Sequence, residues 1–153
     1  MEHKPFLPEL TENQIIIRDT IKDFAEKNIR SVIMEYDESQ EFPMEIMKQL
    51  GDLGFLGILV PEEFGGAGLG YVEYALIIEE LSKVDPSIGL SVAAHNGLCT
   101  NHINLFGNPE QKKKYLPDLA SGKKIGAWGL TESFSGSDAA GLKSNAVKDG
   151  NYW

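Results

Sequence analysis

GKKIGAWGLTESFSGSD, residues 122–138, is where the pattern of the chain changes. Before it, apolar residues recur at helical spacing; Ile125–Leu130 is instead a short apolar and aromatic run closed by a polar loop, which reads as a strand feeding that loop. Thr131, Glu132, Ser133, Ser135, Ser137 and Asp138 crowd the loop around Gly136. Their types leave two readings open. Successive hydroxyls and backbone N–H groups suit a polar, anionic ligand such as a pyrophosphate, with Trp128 offering an aromatic edge to a ring system. Equally, the stretch is a Ser-rich turn between strands.

Toward the N-terminus the signals are helical. Thr11-Glu12-Asn13-Gln14 has the form of a capping box, and Ile17, Ile21, Phe24, Asn28 and Val32 continue from it, predicting a helix to about Ile33. Pro43 suits a first helical position ahead of Ile46, Met47 and Leu50, with Gly51 and Gly54 ending that helix. Gly57–Gly70 is a loop with a glycine cluster at 65–70, expected to be a flexible turn. Tyr71, Tyr74, Ile78 and Leu81 share one face of a third helix. Asp85-Pro86 offers a cap and a first-turn proline to a fourth, apolar nearly all round from Ile88 to Ala94 and therefore central to a bundle. Gly97 is expected to bend or break it. Asn108-Pro109 opens a short basic helix, and Gly122 stops the helical region.

Beyond the loop, Asn145–Val147 reads as a second strand and Asp149-Gly150 as a two-residue hairpin turn, setting Val147 opposite Tyr152 and Ala146 opposite Trp153. A three-residue return strand cannot cover two aromatics, so the chain is expected to be cut within a β-sheet. The fold expected is mainly α: residues 1–122 form a helical domain and residues 123–153 begin a β domain.

Composition narrows the classes of function. A chain of 153 residues, 42% hydrophobic, can bury an ordinary core. Its formal charge of −9, from 14 basic and 23 acidic side chains, argues against nucleic acid and anionic membrane surfaces as partners. The single Cys99 excludes an internal disulfide framework and suits a reducing compartment, here the cytoplasm. Met1–Pro8 lacks the apolar core of a secretory signal, and no apolar run approaches a membrane span.

Several patterns carry chemistry weakly. The 65–70 cluster fails G-x-G-x-x-G, and no Gly-Lys-Ser/Thr accompanies it. His95, Cys99 and His102 fall at i, i+4 and i+7 and could share a helical face as zinc ligands, but no fourth ligand is near and packed side chains are the simpler reading; no metal is assigned. Lys112–Lys114 reads as a solvated face, and Glu79-Glu80 as a surface pair rather than a catalytic base.

Gly129-Leu130-Thr131-Glu132, two free positions, Ser135-Gly136-Ser137-Asp138, two more and Gly141 resemble the flavin-loop signature of the acyl-CoA dehydrogenases. Ser133-Phe134 stands where that family usually shows Pro-Gly. PEEFGGAGLGYVEYALIIEELSKVDPS, GNPEQKKKYLPDLASGKKIGAWGLTE and AGLKSNAVKDGNYW agree in the family's order. The resemblance implies an N-terminal helical domain followed by the first strands of a β-barrel domain, in a flavoprotein that desaturates acyl-CoA thioesters between the α and β carbons. It implies FAD as cofactor, an electron-transfer flavoprotein as electron acceptor and a homotetramer when full length, in the cytoplasm or, in a eukaryote, the mitochondrial matrix. Trp128, Leu130, Thr131, Gly136 and Ser137 would hold FAD, and Ser137 would also touch the CoA portion of the substrate. The helices around Leu81 and Ala93–Leu98 would line the acyl pocket. The likeness of SVAAHNGLCTNHI favours short or branched acyl chains. The family's catalytic glutamate lies later than Trp153, so no catalytic residue is assigned and the chain alone is expected to be inactive. An acyl-CoA oxidase, a flavin monooxygenase relative and a non-catalytic helical assembly module are the alternatives.

Overall fold

The computed structural model describes residues 9–153, so the reading of Met1–Pro8 lies outside the described residues. Seven α-helices are found among the described residues. The first, α1 (Glu12–Phe24), starts at the expected capping box: Thr11 Oγ1 accepts from the Gln14 N–H, and Gln14 Oε1 accepts from the Thr11 N–H. Gln14 also donates to Glu73 (2.8 Å), whose other oxygen accepts the Gly70 N–H (3.0 Å), so one carboxylate ties the starts of α1 and α4 (Tyr71–Val84) together.

α1 continues into a π-helical turn, Ala25–Ile29, and stops there. Ile21, Ala25 and Ile29 are fully buried at strict four-residue spacing, a row that drifts by about 40° per step around a 3.6-residue helix. The wider π turn keeps Ile29 inward. The expected run to Ile33 is therefore broken at Arg30–Val32, and a separate α2 (Ile33–Ser39), which the periodicity did not reveal, ends at Gln40 in the left-handed conformation (φ +58°). α3 (Met44–Asp52) begins one residue after Pro43, which caps it, and buries Ile46, Met47 and Leu50.

α5 (Pro86–Ala93) is capped by Asp85, whose carboxylate accepts the Ile88 N–H (2.9 Å). It runs without interruption through a π segment, Ala94–Thr100, into α6 (Asn101–Phe106). Gly97 does not break this rod. Ile88, Val92, Asn96 and Thr100 are all buried, again four apart, and the π turns hold them on one side. Gly97 is the point of close approach to Tyr74, where a Cβ would sit 2.7 Å from the phenol oxygen. α7 (Pro109–Ala120) is capped by Asn108 and stops at Gly122 (φ +72°).

The core lies where α4 packs between α1 and α5, with Ile77 and Leu81 at its centre and α3 and the 55–60 segment closing it. Each fully buried aliphatic side chain contributes on the order of 1.5–3 kcal/mol. Glu80 is only 6% exposed, not the surface residue expected; it sits at α4 with Lys83 Nζ 2.6 Å away, while Glu79 stays in solvent.

The glycine-rich loop is tied by backbone hydrogen bonds to the segment before it. Ala67, Gly68 and Leu69 donate to the carbonyls of Gly57, Val60 and Ile58 (2.9 Å each). Gly66 lies so close to Val60 that a Cβ there would meet its carbonyl oxygen at 2.1 Å. The loop's backbone N–H groups at 65–69 are taken by carbonyls of residues 57–62 and that of Gly70 by Glu73, which leaves none of them for a phosphate.

After Gly122 the helices end, as the change of period predicts. Ile125–Leu130 is not helical, but no strand forms among the described residues: the expected strands at 125–130 and 145–147 are irregular, and only the isolated bridges Glu132↔Ser135 and Asp149↔Tyr152 occur. A strand is defined by its ladder, and among the described residues no segment completes one here. The terminal turn is also one residue later than expected. Asp149 and Tyr152 exchange both backbone hydrogen bonds (2.9 and 3.0 Å) around Gly150-Asn151, with Gly150 at φ +58°. Glycine at the first central position is the II′ arrangement, so Val147 and Tyr152 are not opposite each other.

Candidate functional site

The loop at 130–138 reaches its position along a fixed path. α7 ends with Ser121 Oγ donating to the Pro117 carbonyl (2.8 Å), Gly122 turns the chain, and Lys123 and Lys124 both reach the Asp118 carboxylate (3.1 and 2.9 Å). Those ammonium groups hold the Asp118 carboxyl below the usual carboxylate range. Ile125 packs on the core. Gly126 then passes between the α5–α6 rod and α7, where a Cβ would meet Cys99 Sγ at 2.6 Å.

Gly126 meets His95. The Gly126 N–H donates to His95 Nδ1 (2.9 Å), while Nε2 faces the carbonyls of Leu56 (3.0 Å) and Leu119 (3.2 Å). A backbone N–H can only donate and a carbonyl can only accept, so Nδ1 is unprotonated and Nε2 carries the hydrogen. The imidazole is fully buried, and burial lowers its pKa by opposing the charged form. The neighbouring Asn96 works the same way: its Oδ1 accepts the Ile58 N–H (3.1 Å), and its Nδ2 donates to Phe55 (3.0 Å) and Val92 (3.2 Å).

His95, Cys99 and His102 thus serve separate partners. Cys99 is partly buried against Gly126 and Ala127, and burial pushes its thiol up. His102 stacks on Trp128, with ring centroids 4.3 Å apart. Trp128 remains 42% exposed, one face taken by His102.

Within the loop the polar residues divide into two sets. Glu132 and Ser135 are internal. Their backbones pair across Ser133-Phe134 (2.8 and 3.2 Å), so a closed turn forms without Pro-Gly. Ser135, 4% exposed, donates from Oγ to the Asp138 carbonyl. The Glu132 carboxylate accepts the Ser144 (3.1 Å) and Lys143 (2.7 Å) N–H groups, and these bonds lower its pKa. Sequence reasoning missed this clamp, since its partners lie eleven and twelve residues on. The second set is Thr131, Ser133, Gly136 and Ser137. All four are exposed, and among the described residues none of their backbone N–H groups or hydroxyls has an intramolecular partner. Gly136 has no positive φ and open space around it, a Cβ there lying 3.9 Å from its nearest neighbour, Thr131. Of the expected site residues, Thr131, Gly136 and Ser137 therefore form an exposed rim, Leu130 is half-buried and Trp128 stacks on His102 of α6.

The family model described as acyl-CoA dehydrogenase, N-terminal domain, matches residues 11–123. Among curated relatives, the short-chain-specific acyl-CoA dehydrogenase of Clostridium acetobutylicum is 42% identical over 94% of this chain and 38% of its own length. A solved structure described as the electron transferring flavoprotein of Acidaminococcus fermentans superposes with a TM-score of 0.88 at 41% identity, over 95% of this chain and 38% of that one. The acyl-CoA dehydrogenase of Bacillus anthracis, solved in complex with FAD, superposes with a TM-score of 0.83 at 44% identity, over 90% of this chain and 24% of that one. The chain spans 38% of the length of the first curated relatives it matches.

Proposed function

Because this chain belongs to the acyl-CoA dehydrogenase family, we propose that it is the N-terminal helical region and the start of the β domain of an FAD-dependent enzyme that desaturates acyl-CoA thioesters. Residues 1–122 would be the helical domain, and residues 123–153 would pair into a barrel once neighbouring strands lie beside them. The observation that carries the reading is the divided loop. Glu132 and Ser135 shape it from inside, leaving the N–H groups and hydroxyls of Thr131, Gly136 and Ser137 exposed together. A rim of uncommitted donors fits an anionic, many-acceptor ligand, as the pyrophosphate of FAD is.

In this assignment Thr131 orients the flavin ring edge, Gly136 and Ser137 bind the pyrophosphate, Leu130 and Trp128 support the ring, and Ser137 also contacts CoA. Bound FAD would supply the acceptor for the β hydrogen, leaving the protein to orient the thioester and exclude water. No residue of this chain is assigned as the base for the α proton. The FAD-complexed relative supports the cofactor, and the relative described as an electron transferring flavoprotein supports electron transfer to such a partner. The short-chain-specific relative supports short substrates, and relatives described as isovaleryl-CoA and isobutyryl-CoA dehydrogenases, 44% and 39% identical, support branched ones beside the likeness of residues 91–103. Exposed Leu90, Leu98, Leu105 and Phe106 support burial of the α5–α6 rod against further protein in a homo-oligomer. A single cysteine supports the cytoplasm, or the matrix of a mitochondrion, as its location.

The test uses the full-length enzyme purified with its flavin. Adding butyryl-CoA without an electron acceptor should bleach the flavin's visible absorbance. Retained flavin with no bleaching by any acyl-CoA would sink the dehydrogenase reading.

A further inference from the structure

We infer that His95 is the positioning residue that aims the 127–138 loop, acting through a single N–H···N bond that requires its Nε2–H tautomer. The functional consequence rests on the reading of that loop as a flavin site. Three segments distant in sequence meet on this one imidazole: the 55–60 stretch through Leu56, the end of α7 through Leu119, and the start of the loop path through Gly126. The first two contacts orient the ring and fix its tautomer. The third uses that orientation. Among the described residues, Gly126 makes the last hydrogen bond between nitrogen and oxygen or nitrogen atoms that joins the 122–153 segment to the helices. Beyond it the Ala127 contact to Cys99 and the Trp128 stack on His102 also touch the bundle. The direction in which the chain leaves the helices is thus set where Gly126 is held, and every rim residue lies within eleven positions of that hold.

Two features make the bond a device for positioning and not one contact among many. Gly126 cannot shift toward the rod, since Cys99 Sγ and Cβ fill the space a side chain would need. His95 cannot be replaced by a group that only donates, since the Gly126 N–H would then face another hydrogen in a buried site.

Two isosteric replacements separate the roles of the ring nitrogens. His95→Asn places its amide oxygen near the Nδ1 position and keeps an acceptor for Gly126. His95→Gln extends toward the Nε2 position, keeping the donor to Leu56 and Leu119 and losing that acceptor. In amide exchange, Gly126 and Ala127 should exchange roughly tenfold or more faster in His95→Gln than in His95→Asn, a difference of the size one buried hydrogen bond supplies. Ile77 in α4 is the internal reference. Equal acceleration of Gly126 and Ile77 in both variants would mean a general packing role and overturns the assignment. Should either variant not fold, the wild-type protein decides: a scalar coupling between the Gly126 and His95 Nδ1 nitrogens confirms the bond, and a protonated Nδ1 in the 15N spectrum refutes it. In the flavin-loaded enzyme, His95→Gln should release flavin faster than His95→Asn. If exchange separates the variants and flavin release does not, His95 positions the loop but the loop is not the flavin site.

Discussion

Ser137 and Ser135 are two serines on one loop with opposite tasks, and only their surroundings tell them apart. Ser135 is buried and its hydroxyl donates to the Asp138 carbonyl, whereas Ser137 is exposed with no partner among the described residues. In the sequence both are polar loop residues beside Gly136, which is why residue types alone left a turn and a ligand loop equally open. The structure adds that the rim can be probed without disturbing the turn. In the full-length enzyme, Ser137→Ala is expected to weaken FAD or CoA binding by about 0.5–1.5 kcal/mol, the worth of one hydrogen bond, and to leave apo thermal stability unchanged. Calorimetric titration beside a melting curve checks both halves; a large drop in apo melting temperature with unaltered affinity would assign Ser137 to folding. Asn96 presents the opposite case. Asn96→Ala removes the acceptor of the buried Ile58 N–H and two donors besides, and should cost about 1–3 kcal/mol in urea unfolding. A midpoint unmoved by this change would mean that water replaces the amide.

Helices were legible in this sequence where their information is local. The Thr11 capping box, the Asp85 cap, the Asn108-Pro109 start and the apolar stripe of α3 depend on neighbours three or four residues away, and all are found; in α4 the buried face is centred on Ile77 and Leu81, and Tyr71 of the expected stripe is exposed. Two things defeated the periodicity. The π turns at 25–29 and 94–100 reset the phase of the stripe, so α1 stops early and the rod survives Gly97. Strands were the other, because a ladder depends on partners the local sequence does not contain. His95 was illegible for a related reason: its partners distant in sequence come from residues 56, 119 and 126. As an element-level joint it carries a pH signature. Burial lowers its folded pKa below the unfolded value near 6.5, so between the two the unfolded chain binds the extra proton. Its contribution is complete above about pH 6.5 and is lost as pH falls from there toward the folded pKa, by about 1.4 kcal/mol for each unit of depression. Urea midpoints from pH 7.5 to 5 should fall more in wild type than in His95→Asn, which has no proton to take up. Parallel curves would remove His95 from the acid response.

At the scale of the molecule the chain has two tiers of order. The helices share a continuous core in which Ile21, Met47, Leu50, Ile77, Leu81 and Ile88 are fully buried. Past Gly126 the residues are mostly exposed, with Phe134, Val147, Tyr152 and Trp153 each about four-fifths so, and the segment is held by short-range contacts of its own. Local opening tracks such differences: few buried apolar contacts and solvent-facing amides place a segment at the low end of the stability range. Residues 127–153 should therefore exchange their amides orders of magnitude faster than the centre of α4 in dilute protein, while α4 exchanges only on global unfolding. Protection of 127–153 equal to that of Ile77 and Leu81 would mean the segment is a cooperative part of the helical unit. The expected inequality has a functional corollary. A loop ordered weakly by the helices must pay ordering entropy when it takes a ligand, so whatever packs against 127–153 raises affinity by lowering that cost. Protection of the Thr131, Gly136 and Ser137 amides should accordingly rise when FAD binds to full-length enzyme, and rise more than that of α4. A uniform increase throughout the molecule would show the flavin acting on global stability and not on this rim.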